Sequence, residues 1–179
     1  MKRIRSILYL FIFLSFISCK KSSDNKDSVQ GGTEVNTWTF KEGSSKFWGH
    51  LLFDGELNTL LQSNNSYTFG IIGSEDNSGY VFNVVLSLLD LNFTQKTYQS
   101  GVDGNDYLNA FYYTVSPGAA DNIYKSSNYD PGPIMNYTVT SYDAVKDIVT
   151  ITFSGKAQLA NGSIVDITEG KMTVQIERL

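Results

Sequence analysis

The chain holds one cysteine, one histidine and three prolines among 179 residues. The first two shortages each exclude something. A single cysteine leaves no disulfide framework and no zinc-thiolate cluster. A single histidine, His50, leaves no histidine-rich metal site, and a Ser-His-Asp triad would have to use it. No Gly-x-Ser-x-Gly nucleophile elbow occurs. Basic residues are outnumbered, with 14 Lys and Arg against 18 Asp and Glu and a net charge of −4. No basic stripe is left to neutralise phosphates, so nucleic acid is not an expected partner. No internal repeat points to a propeller or solenoid.

Long apolar runs are also missing, except at the start. Met1-Lys2-Arg3-Ile4-Arg5 is basic and Ile7–Ile17 is apolar. That run falls short of the roughly 20 residues that cross a bilayer, and it suits a signal peptide. It ends in Phe16-Ile17-Ser18-Cys19. This resembles a bacterial lipobox, a small residue before cysteine with apolar residues upstream, with Phe16 where leucine is usual. The resemblance implies that residues 1–18 are a lipoprotein signal peptide. It implies too that Cys19 becomes the acylated N-terminus. Several acyl chains anchor a protein stably where one binds only marginally. The expected partner is therefore the membrane, through an N-terminal lipid anchor, and the expected location is the bacterial cell envelope, at the outer membrane. Loss of Lys2, Arg3 and Arg5 with the leader makes the mature chain three charges more negative.

Residues 19–35 are rich in Ser, Asp, Lys, Gln and Gly, with Val29 and Val35 as the only large apolar residues. Such a composition cannot bury enough surface to fold and predicts a flexible acylated tether. Within it Asp27-Ser28-Val29 resembles the O-glycosylation acceptor of Bacteroidota, which would place a glycan on Ser28.

From Asn36 to Leu179 the pattern changes to alternation. Val149, Ile151 and Phe153 alternate with Thr150, Thr152 and Ser154. Met135, Tyr137 and Val139 alternate with Asn136, Thr138 and Thr140. A period of two marks strands with one buried face. Asn161-Gly162 supplies the positive φ angles of a tight turn. In the last strand Val165 and Ile167 are apolar at odd positions, but Met172, Val174 and Ile176 at even ones. That slip predicts a bulge at Glu169-Gly170.

Upstream, Thr37–Phe40 and Phe47–Phe53 predict a hairpin, and Tyr67–Ile71, Tyr80–Leu89, Phe93–Tyr98 and Tyr107–Val115 predict further strands. Leu57, Leu60 and Leu61 have the spacing of a short helix. Ser116–Gly132 predicts one long surface loop. The fold class expected for residues 36–179 is all-β: an antiparallel β-sandwich or β-barrel of about 8–10 strands with a C-terminal meander and at most one short helix.

Ile151-Thr152-Phe153-Ser154-Gly155, Asn161-Gly162-Ser163 and Ile167-Thr168-Glu169-Gly170-Lys171-Met172 together resemble the C-terminal pattern of small uncharacterised Bacteroidota lipoproteins. Met172 stands where those have an aromatic. The resemblance covers the last third of the chain and the leader. It implies an all-β, envelope-anchored domain and no particular activity.

These features favour a non-enzymatic binding domain for a small molecule, a glycan or a protein. Tyr112, Tyr113, Tyr124, Tyr129 and Tyr142, in or near the long loop, are the candidate ligand-binding aromatics, able to stack on sugars or line a cavity. Core packing is the competing use of each. Asp103, Asn105 and Asp106 lack the ordered spacing of a calcium loop. No cofactor and no metal site is implied. The rival readings are a carboxylate-dependent hydrolase acting on glycans and a structural or assembly protein of the envelope. Most acids, among them Asp76, Asp103, Asp130 and Asp147, fall in predicted turns, where sequence spacing does not pair them.

Overall fold

The computed structural model describes residues 34–52, 55–63, 66–94, 96–99, 109–115, 122–127 and 132–178. Cys19, Ser28, Asp103, Asn105, Asp106 and Tyr129 lie outside them.

The described residues form an all-β domain with no helix. In chain order the strands are β1 (Thr37–Glu42), β2 (Ser45–Leu51), β3 (Gly55–Ser63), β4 (Ser66–Glu75), β5 (Val81–Leu88), β6 (Thr97–Gln99), β7 (Ala110–Thr114), β8 (Asn122–Ser127), β9 (Met135–Asp143), β10 (Ile148–Gln158) and β11 (Ile164–Arg178). Eight of them close on themselves in the order β1-β2-β4-β5-β7-β8-β10-β11, every neighbour antiparallel. The architecture is therefore a closed barrel. Strand β3 pairs antiparallel with β4 and parallel with the end of β11. Strands β9 and β6 extend the sheet outward from β10.

Closure depends on close backbone approach where β2 meets β4. A Cβ on Gly49 would lie 1.9 Å from the Ser74 carbonyl oxygen, so only glycine fits. The opposite seam is thin. Among the described residues β8 and β10 share one paired position, Lys125 opposite Gln158.

The interior is filled by rings. Trp38 stacks on Phe82 at 4.5 Å, and Phe40 meets Phe47 at 4.8 Å and Phe111 at 5.5 Å. Phe153 packs against Phe82 and Phe111 at about 6 Å. Aliphatic residues of the alternating runs, Ile71, Val84, Leu86, Val149, Ile151 and Val174, are fully buried among them. Each large side chain so buried contributes roughly 1.5–3 kcal/mol of hydrophobic stabilisation.

Strand β11 carries the expected bulge. Thr39 and Lys41 of β1 face Lys171 and Thr168, and Phe153 and Gly155 of β10 face Gly170 and Ile167. Strand β11 thus holds one extra residue against both neighbours. Glu169 absorbs it at a φ of 49°. Thr168 and Glu169 both face out, and the inward face resumes at Gly170, Met172, Val174 and Ile176. A Cβ on Gly170 would lie 2.4 Å from the Phe153 ring, so this glycine leaves the ring its space.

Three expectations are corrected. The helix expected at residues 56–62 is β3, because the edges of β4 and β11 offer backbone partners that outweigh a local leucine spacing. The stretch from Ser116 to Gly132 is not one loop, because β8 occupies its middle. Its inward positions are Tyr124 and Ser126, and a serine there, donating to the Pro133 carbonyl at 2.7 Å, hides the alternation. The strand expected from Phe93 shortens to β6. Asp90 holds the residues before it in a turn, accepting from the Asn92 amide at 2.7 Å, and Phe93 plugs down against Phe69 and Tyr142 at 5.4 and 5.1 Å.

Candidate functional site

Among the described residues the candidate tyrosines occupy three separate places. Tyr113 and Tyr124 are core residues whose rings stack at 5.8 Å. Burial pushes both phenols up, with Glu75 adding to the effect at Tyr113 and Glu42 at Tyr124. Tyr112 sits half-buried on β7, between Asn83 and Lys125 of the neighbouring strands. Tyr142 donates to Asp147 at 2.7 Å, and Arg178 holds both groups at 2.7 Å. That cluster ties the end of β11 to the β9–β10 turn. Its hydrogen bond from Arg178 lowers the Asp147 carboxyl below its ordinary range.

His50 projects outward from β2. Its Nδ1 lies 2.9 Å from Asp76 and its Nε2 lies 3.6 Å from Glu34. The hydrogen bond to Asp76 raises the imidazole pKa above 6.5 against a smaller lowering by burial. Among the described residues no group of His, Cys, Asp and Glu is arranged to hold a metal ion.

Among the described residues a concave feature lies elsewhere, on the outer face of β9, β10 and β11. It is an open groove of about 400 Å³ lined by Asn136, Thr138, Thr152, Ser154, Glu169 and Lys171, with Phe153 and Gly170 beneath. Its size falls within the roughly 300–1,000 Å³ of small-molecule sites. The sheet positions these side chains through register. Thr138, Thr152 and Lys171 stand abreast, and Asn136 stands beside Ser154. Beyond the groove the same row continues through Thr39 of β1 to Trp48 of β2, and through Thr97 of β6 on the other side.

The electrostatics are uneven. Glu169, turned out by the bulge, is bound by Lys41 through both oxygens at 2.7 and 2.8 Å. Lys171 makes no ion pair among the described residues. The Asn136 amide and the Thr138 and Ser154 hydroxyls likewise keep their hydrogen-bonding capacity among these residues. The groove therefore presents donors and acceptors at fixed spacing, one uncompensated cation and one neutralised carboxylate.

None of these lining residues was a candidate in the sequence. Their signal was present as the polar half of the alternation in β9 and β10, and as the parity slip in β11. No family model, curated protein or solved structure matches the chain.

Proposed function

We propose that this chain is a lipid-anchored protein of the bacterial cell envelope. Cys19 carries the acyl anchor at the outer membrane, residues 19–35 form the tether, and the barrel is a non-enzymatic binding domain. The observation that supports the binding reading is the open groove on the β9–β10–β11 face, and the filled interior directs a ligand there. A barrel of about eight strands either packs side chains inside or holds one small ligand there. Here Trp38, Phe40, Phe82, Phe111 and Phe153 occupy that space, and the groove of about 400 Å³ lies outside. The ligand is therefore taken on the outer face of the β9–β10–β11 meander, where the hydrogen-bonding groups are unspent.

Separate measurements test the anchor and the binding domain. Metabolic labelling with an alkyne fatty acid should mark the protein and leave Cys19→Ala unlabelled. Cys19→Ala should leave the membrane fraction after a salt wash, and its retention there would refute the anchor. Native mass spectrometry of gently extracted protein should show a non-covalent adduct lost on denaturation. Turnover of a glycan substrate, abolished by neutralising two neighbouring acids, would replace binding with hydrolysis.

A further inference from the structure

We infer that the groove on the outer face of β9, β10 and β11 binds a short acidic glycan, with a sugar carboxylate at Lys171 and ring hydroxyls at Asn136, Thr138 and Ser154. The inference rests on the binding reading above and names its ligand class.

Four observations combine. The first is chemical. A sugar ring offers hydroxyls at close, regular spacing, and each both donates and accepts. The groove answers with an amide and hydroxyls, groups of the same dual character. Asn136 and Ser154 are cross-strand partners, as are Thr138 and Thr152. Directly opposed side chains stand about 4.5–5.5 Å apart, a spacing that lets two residues grip one ring.

The second is charge. The groove is lined by one lysine, Lys171, and Lys41 beside it is already paired with Glu169 at 2.7 Å. Lys171 has no such partner among the described residues and lies between Thr39 and Thr152 in the row. A neutral sugar would leave that ammonium unanswered. A carboxylate would complete it with a charge-assisted hydrogen bond.

The third is the bulge. Strand β11 holds Glu169 at a φ of 49°, unusual for a residue with a side chain. Bulges re-aim side chains, and strained backbone collects at binding sites. This one turns Glu169 outward at the groove wall and brings it to Lys41. The pair removes a second free cation and fixes the free positive charge at Lys171.

The fourth is Trp48. It is 41% exposed, in the same cross-strand row, two strands from Lys171. At about 4.8 Å per strand it stands roughly 10 Å away, so a glycan longer than one ring can stack on its indole face.

The test uses the whole lipidated protein in a zwitterionic amine-oxide detergent, because sugar-headed detergents would compete. Trimers of galacturonate, glucuronate and mannuronate are titrated by calorimetry beside the neutral trimers of galactose, glucose and mannose. At low salt at least one acidic trimer should bind about tenfold tighter than its neutral counterpart, the effect of one charge-assisted hydrogen bond. Raising the salt should shrink that preference. Lys171→Gln should remove the preference, while Asn136→Ala with Ser154→Ala should weaken both series. Unchanged near-ultraviolet circular dichroism shows that each variant is folded. Equal or stronger binding of the neutral trimers would overturn the acidic assignment. Binding by none of the six, beside a different adduct in native mass spectrometry, would overturn the glycan and leave the binding reading standing. Release of shortened trimers during the titration would overturn the binding reading itself.

Discussion

Replacing Tyr137 by phenylalanine should make this protein more stable. Tyr137 is fully buried on β9, opposite Tyr98 of β6, and its ring lies 6.1 Å from that of Phe153. Its hydroxyl has no hydrogen-bond partner among the described residues, and neither has that of Tyr98. Burial pushes both phenols well above their ordinary range. In the unfolded chain the hydroxyl is hydrated, so folding strips it of water without return. A buried unsatisfied polar group of this kind costs about 1–3 kcal/mol. Tyr137→Phe keeps the ring, its packing and its volume to within one atom, and removes the cost. A gain of about 1–2 kcal/mol follows. In urea, with a slope of about 2 kcal/mol per molar, the midpoint should rise by roughly 0.5–1 M at constant slope. Tm should rise by several degrees, since about 1 kcal/mol moves a domain of this size by roughly 3 °C. A loss of about 1 kcal/mol or more would refute the reasoning. It would mean that the hydroxyl is hydrogen-bonded in the native barrel.

Two further outcomes follow from the same fold. Gly49→Ala should destabilise strongly, by about 3 kcal/mol or more, because a Cβ 1.9 Å from the Ser74 oxygen forces β2 and β4 apart. Chemical denaturation reads the loss, and a change under about 1 kcal/mol would show that the strands separate easily. His50, whose pKa is raised in the folded state by Asp76, stabilises the fold fully below pH 6.5. That contribution disappears as pH rises through the folded pKa. It is small because the pair is exposed to solvent. NMR titration should place the His50 midpoint above 6.5, and Asp76→Asn should bring it back down.

The fold was largely legible because its strands keep a period of two with large apolar residues on one side. Tyr80–Leu88 and Val149–Phe153 declared themselves that way. The bulge was legible as well, since Ile167 and Met172 cannot share a face without an extra residue between them. Strand β8 was not, because Ser126 stands at an inward position where the eye expects an apolar side chain. Strand β3 was not, because its leucines repeat at helical spacing while its pairing depends on strands distant in the sequence. The groove was the least legible. Asn136, Thr138, Thr152, Ser154 and Lys171 look individually like solvated strand residues, and only register brings them abreast. The tyrosines stand out in the sequence by size and by nearness to a predicted loop. In the structure Tyr113 and Tyr124 are absorbed by the core.

The single paired position that joins β8 to β10 among the described residues has a mechanical consequence. A closed hoop under thermal load parts at its least laced joint, and by strand pairing among the described residues that is Lys125 against Gln158, whereas β10 and β11 are laced from Ile148 to Gln158. Local opening draws on such low-cost regions before the whole domain yields. The barrel can therefore gape on the β8 side while the three strands that carry the groove stay laced together. The stave that flexes and the surface that recognises are mechanically uncoupled.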